Sequence, residues 1–170
     1  VTGVQTCALP IYLKIEKKIP SIVNGIDKIL DWLRKRDTYA TFFVVGELLE
    51  SSPELFDKIT KNGHEIGFHT MHHTSIDVYN FREEFQNELA IFNRLTNGKS
   101  KGFRAPTFSL NTESSWVIDM LAKNRYKYDS SIVPAKTSMY GNPNAELFPY
   151  KISSRSLEKD DVEGKLIEFP

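Results

Sequence analysis

Residues 39–46, Tyr39-Ala40-Thr41-Phe42-Phe43-Val44-Val45-Gly46, decide how this chain folds. The run is short, rich in β-branched and aromatic residues, and apolar at consecutive positions. A strand with one wet face would alternate apolar with polar, so this pattern predicts a strand covered on both sides, as in a parallel sheet flanked by helices. Upstream, Ile22, Ile26, Ile29, Leu30 and Leu33 recur at helical spacing, and Pro20 suits a first turn, predicting an amphipathic helix that ends near Arg36. Downstream, Ser52 is a candidate N-cap with Pro53 behind it, Leu55, Phe56 and Ile59 form a stripe, and Gly63 is placed to stop the helix.

The alternation continues. Glu65-Ile66-Gly67-Phe68-His69 reads as a short strand followed by a polar turn through Thr74. Phe81, Phe85, Leu89 and Phe92 mark one face of a helix ending at Asn97-Gly98. Gly102 to Ala105 predicts a strand entering a proline turn, and Thr112 could cap a helix carrying Trp116, Met120 and Leu121. Tyr126–Ile132 and Lys165–Phe169 read as further strands, and Pro134 to Glu163 as loop. Strands alternating with helices predict an α/β fold with parallel strands. At 170 residues the chain is short for a (β/α) barrel, which typically takes about 250, so the expectation is a small open sheet or an incomplete barrel.

Composition narrows the function. The 22 basic and 22 acidic residues leave no net charge and are interspersed, which argues against a nucleic-acid partner. No run approaches the roughly 20 apolar residues of a transmembrane segment. The single cysteine, Cys7, excludes an intrachain disulfide and a Cys-only zinc site, leaving His, Asp and Glu as metal ligands. Residues 1–11 fit neither hydrophobic period and carry no charge, whereas Lys14, Glu16, Lys17 and Lys18 follow at once. That leader resembles the translated product of a sequencing-library adapter, and it is expected to be foreign to the domain that begins at Tyr12.

All four histidines lie within Gly63-His64-Glu65-Ile66-Gly67-Phe68-His69-Thr70-Met71-His72-His73. His69 falls at a strand end and His73 in the turn beyond, so both imidazoles could meet at one point. Two imidazoles need one carboxylate and a water to complete a catalytic zinc shell, and cobalt or nickel would accept the same donors. A His-rich surface loop is the plain alternative. His64 is expected to bond locally at the strand start, and His72 to point away. Arg104, in Gly102-Phe103-Arg104-Ala105-Pro106-Thr107-Phe108, places a planar donor fork at another strand end, either to orient a carboxylate or to close a structural salt bridge. Phe103, Phe108 and Trp116 read as core. Asp27 and Asp31 lie beside Lys28 and Arg34 on the polar helix face and read as solvated.

Taken in order, residues 40–46, the segment His64–His73, and Phe103-Arg104-Ala105-Pro106 resemble a polysaccharide deacetylase of the NodB-homology type. The stretch from Trp116 through Tyr126 to Pro134, and the later Tyr140-Gly141, further resemble the subgroup associated with bacterial exopolysaccharide loci. The resemblance spans about Ile19 to Pro170. It implies a distorted (β/α) barrel with its site at the C-terminal strand ends, and divalent-metal-assisted hydrolysis of N-acetyl groups on an acetylated polysaccharide. By the same resemblance His69 and His73 are metal ligands, Arg104 orients the catalytic base, and Pro106 and Thr107 line the substrate groove. Relatives often place an aromatic directly after that proline, where this chain has Thr107 and then Phe108. The family also carries an aspartate pair on its first strand and a Leu-x-His motif near its C-terminus. No Asp occurs between Tyr12 and Ile19, so the chain as given is expected to lack its general base and acid. A non-catalytic glycan- or partner-binding module, and an O-acetyl esterase, are the competing readings.

Overall fold

The structure is a computed structural model that describes residues 20–170, with side chains from Gly25 onward. The leader and the segment from Tyr12 to Ile19 lie outside the described residues, as does the side chain of Ile22. Helix α1 (Pro20–Arg34) leads into β1 (Thr41–Val44), followed by α2 (Gly46–Ser51), α3 (Glu54–Lys61), β2 (Glu65–Phe68) and α4 (Phe81–Leu95). Then come β3 (Gly102–Phe103), a single 3-10 turn over Pro106–Phe108, α5 (Trp116–Lys123), β4 (Tyr128–Asp129), β5 (Tyr150–Ile152) and β6 (Leu166–Glu168).

The strands form one sheet in the order β1-β2-β3-β4-β6-β5. Every pair is parallel except β5 with β6. As expected for a doubly covered strand, Phe42, Phe43 and Val44 of β1 are all buried. Gly67 sits where a Cβ would lie 2.5 Å from the Phe43 ring, so the β1–β2 contact at that register requires glycine.

Helix α4 buries the stripe read from its periodicity. Phe81, Phe85, Leu89 and Phe92 are buried, and Phe85 and Phe92 join Phe68 and Phe103 in an aromatic cluster with centroid separations from 4.7 to 5.7 Å. Full burial of such side chains contributes about 1.5–3 kcal/mol each, which fastens α4 across β2 and β3. In α1 the stripe is narrower than the periodicity implied: Leu30 and Leu33 are buried while Ile29 is exposed. Asp27 pairs with Lys58, and Asp31 with Arg34 and Lys35, on the solvated side.

Gly46, just past β1, begins the short helix α2, and the N–H groups of Gly46 and Glu47 donate to the carbonyls of Thr70 and Met71 at 2.9 and 3.0 Å. Three sequence expectations change. Ser52 does not cap α3 with its side chain; it closes α2, and its N–H donates to Leu48 O. Thr112 does not cap α5. Asn111 does the local work instead, its Oδ1 accepting from the N–H groups of Glu113 and Ser114. Finally, the region read as loop from Pro134 to Glu163 contains β5, whose buried Tyr150 and Ile152 flank exposed Lys151. Three residues between turn formers are too few for a period to show.

Candidate active site

Three parallel strands stop side by side, and each is followed at once by a polar residue: His69 after β2, Arg104 after β3, Ser130 after β4. The ladder runs on past the strand ends, with Arg104 N–H donating to Phe68 O and Ser130 N–H to Phe103 O. The sequence-predicted site residues therefore converge where ligands bind in α/β sheets, at the carboxyl ends of the strands.

His69 is 1 % exposed. Its Nδ1 lies 2.7 Å from the carbonyl of Arg104, which can only accept, so Nδ1 carries the proton and Nε2 presents a lone pair. That Nε2 is buried and has no hydrogen-bond partner. Burial, helped by the nearby charges of His73 and Arg104 and opposed by the Arg104 carbonyl, lowers the imidazole pKa to about 4. At neutral pH the ring is therefore uncharged. The His73 ring stands edge-on to it, centroids 4.9 Å apart at 70°, and burial also pulls its pKa down.

The turn between the two histidines is wound tightly. Thr70 and His73 have φ of 57° and 58°, a left-handed backbone that costs non-glycine residues about 1–3 kcal/mol each. Three things hold it. The Thr70 and Met71 carbonyls receive the start of α2, the Met71 side chain is buried against Gly46, and Met71 N–H donates to Glu88 Oε2 at 2.8 Å. Glu88 is 3 % exposed, reaching in from α4, and burial raises its carboxyl pKa against the pull of that hydrogen bond. His72 points outward, with Nδ1 3.3 Å from Glu47 Oε2, and His64 accepts the Ala40 N–H at the start of β2. Neither joins the pair.

Arg104 is 2 % exposed. Its Nε donates to Ser130 O at 2.7 Å and its Nη2 to Ser130 Oγ at 2.5 Å, while the guanidinium stacks over Phe43 at 4.5 Å. Ser130 Oγ in turn donates to Phe169 O. Ser131 completes the junction, accepting Ala105 N–H and donating to Asp129 Oδ1 at 2.6 Å. Beneath lies a feature that sequence reading missed. Asp129 and Glu168 are register partners on β4 and β6, both with no exposed surface. Each leaves one carboxyl oxygen without a hydrogen-bond partner. Burial raises both pKa values, Glu168 the more because Asp129 also faces it.

Pro106 is buried and opens the 3-10 turn. Thr107 is exposed, its Oγ1 donating to Pro106 O and lying 3.3 Å from Ser75 Oγ on the histidine side. Phe103 and Trp116 pack into the core as expected, whereas Phe108 is only half-buried and sits 5.6 Å from the Arg104 guanidinium.

Among the described residues no third His, Cys, Asp or Glu joins His69 and His73 to make a metal cluster. The pair nevertheless fits a divalent cation. It supplies two neutral imidazoles, one with its far nitrogen fixed by a carbonyl and its near nitrogen buried and unpartnered.

A mostly parallel α/β sheet thus brings two histidines and a clamped arginine together at neighbouring strand ends. The polysaccharide deacetylase family model matches residues 10–127, and the chain belongs to that family. It is similar to a peptidoglycan-N-acetylglucosamine deacetylase of Bacillus cereus, 37% identical over 83 residues, covering 46% of this chain and 30% of that protein. It is also similar to the peptidoglycan-N-acetylmuramic acid deacetylase PdaA of Bacillus subtilis, 36% identical over 62 residues, covering 36% of this chain and 23% of that protein. The chain thus matches less than a third of the length of these relatives. Among solved structures, one described as a polysaccharide deacetylase from Mycobacterium smegmatis superposes with a TM-score of 0.64 at 20% identity, over 96% of this chain and 62% of that one. An allantoinase superposes at 0.61 with 15% identity, over 86% and 43% of the two chains. These likenesses establish the fold, consistent with a distorted (β/α) barrel.

Proposed function

We propose that this chain is the central part of a metal-dependent hydrolase that removes N-acetyl groups from a polysaccharide. The observation that carries the reading is the orphaned Nε2 of His69, on a ring whose centroid lies 4.9 Å from that of His73, one strand away from the clamped fork of Arg104. His69 and His73 would hold the cation, with zinc the best match to two imidazoles and cobalt or nickel acceptable. Bound there, such an ion would polarise an acetamide carbonyl and bring the pKa of a coordinated water to about 7. Arg104 keeps one orientation because Ser130 fixes two of its N–H groups, so it can hold a base carboxylate without reorganising. Pro106 and Thr107 form the wall between this centre and the surface groove beyond. The resemblance of residues 126–134 to exopolysaccharide-locus proteins, and the peptidoglycan-directed names of the relatives, both support an extended acetylated glycan as substrate.

The general base and acid of the reaction belong, by family resemblance, to an aspartate pair on the first strand, where residues 12–19 carry no Asp, and to a Leu-x-His motif that the sequence as given does not contain. The chain as given should therefore bind zinc weakly and release no acetate. Calorimetric titration should give an affinity weaker than micromolar that His69→Ala abolishes. A version extended by an aspartate-bearing first strand and a Leu-x-His segment should release acetate from N-acetylated glycan, and a chelator should stop it. An extended chain that stays active with His69→Ala would overturn the reading.

A further inference from the structure

Asp129 and Glu168 are buried ionisable groups that the proposed reaction leaves unused. They close the ends of β4 and β6 as register partners, so their side chains share one face of the sheet at the ordinary strand spacing of about 4.7–4.9 Å. Ser130, the residue after Asp129, points to the opposite face, where it clamps Arg104. Each acid has one oxygen well served: Asp129 Oδ1 accepts the Ser131 hydroxyl at 2.6 Å, and Glu168 Oε1 accepts the Ile132 N–H at 2.9 Å. The remaining oxygens, Asp129 Oδ2 and Glu168 Oε2, are buried with no donor. The two carboxyls lie within hydrogen-bonding range of each other. One proton between them would satisfy both oxygens, whereas two bare charges would stand side by side in the interior.

The surroundings do little to offset a second charge. From the end of β3, Arg104 favours ionised Glu168, but burial and Asp129 oppose this more strongly. From β5, Tyr150 is the antiparallel register partner of Glu168, and its hydroxyl donates to Leu157 O. Burial, together with Glu168 and Asp129, raises the Tyr150 pKa, so this neighbour stays a neutral phenol. Glu146 and Glu158, from the loops on either side of β5, add negative charge near it. Helix α5 turns Val117, Ile118 and Leu121 into the core and leaves Asp119 and Lys123 at the surface.

The corner that holds the acids also carries the arginine clamp. Ser131 Oγ accepts the Ala105 N–H while donating to Asp129, which ties the end of β4 to the residue after Arg104. Ser130 Oγ donates to Phe169 O, and Phe169 N–H donates to Asp129 O at 2.9 Å, which ties the same corner to the residue after Glu168. Two charges on the pair would drive Asp129 and Glu168 apart, and the bonds through Ser131, Ile132 and Phe169 would part with them. Ser130 would then no longer hold the Arg104 fork in one orientation.

We propose that Asp129 and Glu168 share one proton, and that this proton latches β4 to β6 and keeps the Arg104 clamp closed, so that rising pH opens the corner. The latch works through this corner alone and depends on neither metal nor glycan. The folded corner holds a proton that the unfolded chain has lost above about pH 5, so the latch is strongest at low pH and weakens as pH rises. The test is hydrogen exchange of the 170-residue chain, followed by amide NMR from about pH 5 to about pH 9 and corrected for intrinsic exchange, together with carbon-13 titration of the side-chain carboxyls. Once the pair titrates, protection of the Ala105 and Ile132 amides should fall roughly tenfold per pH unit, the slope of one proton, while Leu89 and Phe92 in α4 keep theirs. Glu168→Gln and Asp129→Asn, each with a permanent donor, should hold the corner closed across the range, and if neither folds the wild-type exchange and titration decide alone. Protection that stays level throughout, a loss shared equally by α4, two carboxyls already ionised at the lowest pH, or an unchanged slope in both variants would overturn the proposal.

Discussion

The two halves of the site are built by opposite means. The histidine half is local: His69 and His73 lie four residues apart, and one tight turn brings their rings together. The arginine half is assembled across the sheet, with Arg104 from β3, Ser130 and Asp129 from β4, and Glu168 from β6. The first half leaves one buried imidazole nitrogen without a hydrogen-bond partner. The second clamps a buried cation on Ser130, next to the fully buried acids Asp129 and Glu168 of β4 and β6. The difference implies that changes in the histidine half alter what the protein binds, whereas changes in the arginine half alter whether it folds.

The largest expected effect comes from Arg104→Ala. Removing this buried side chain takes the donors away from Ser130 O and Oγ and opens a cavity beside Phe43, so urea unfolding should show a loss of about 2–5 kcal/mol. A mild loss would show that Arg104 serves only the reaction. Next is Glu168→Gln, which removes one of two facing buried carboxyls and supplies an N–H donor in its place. Both acids have folded pKa values raised above the usual 4.5 and 3.8, so the folded state holds more protons than the unfolded one above about pH 4. Stability is fullest below that range and falls as pH rises towards the folded values. Glu168→Gln should flatten this decline and stabilise the protein at pH 7 by about 1–4 kcal/mol. Thermal melts that ran parallel across pH in the two proteins would contradict the raised pKa values.

Glu88→Leu crosses between the halves. It strands the Met71 N–H, which should cost about 1–3 kcal/mol, and it frees the turn that aligns the histidines. Zinc affinity should fall in Glu88→Leu and largely return in Glu88→Gln, which keeps an acceptor oxygen. Unchanged affinity in Glu88→Leu would mean that the α2 contacts alone set the turn. The smallest effect is expected for His72→Ala, within about 0.5 kcal/mol of stability and with zinc affinity unchanged, since its ring is exposed and paired only with Glu47.

Legibility followed the same division. The strand at Thr41–Val44, the α4 stripe, and His69, His73 and Arg104 at strand ends could all be read along the chain, because each signal is a short-range period or spacing. Glu88 was also within reach. It falls three residues after Phe85 and four before Phe92, on the face the period assigns to the core, and a carboxylate there signals a buried partner. Ser130 gave no such signal, since only its position opposite Arg104 gives it a role. Helix α2 and strand β5 escaped because each is stabilised by partners distant in sequence, the Thr70–Met71 carbonyls for one and β6 for the other.

By itself the sequence determined the α/β alternation, the absence of any charge excess, and the two imidazoles and guanidinium that make metal-assisted chemistry conceivable. Those follow from residue type and period, which act over a few positions. The tertiary structure alone decided that β4 and β6 would lie in register, burying Asp129 and Glu168 against each other. It alone turned His69 so that a carbonyl 35 residues away in the chain selects its tautomer. Burial and hydrogen bonding between distant segments set proton positions, and no local pattern encodes which segments will meet.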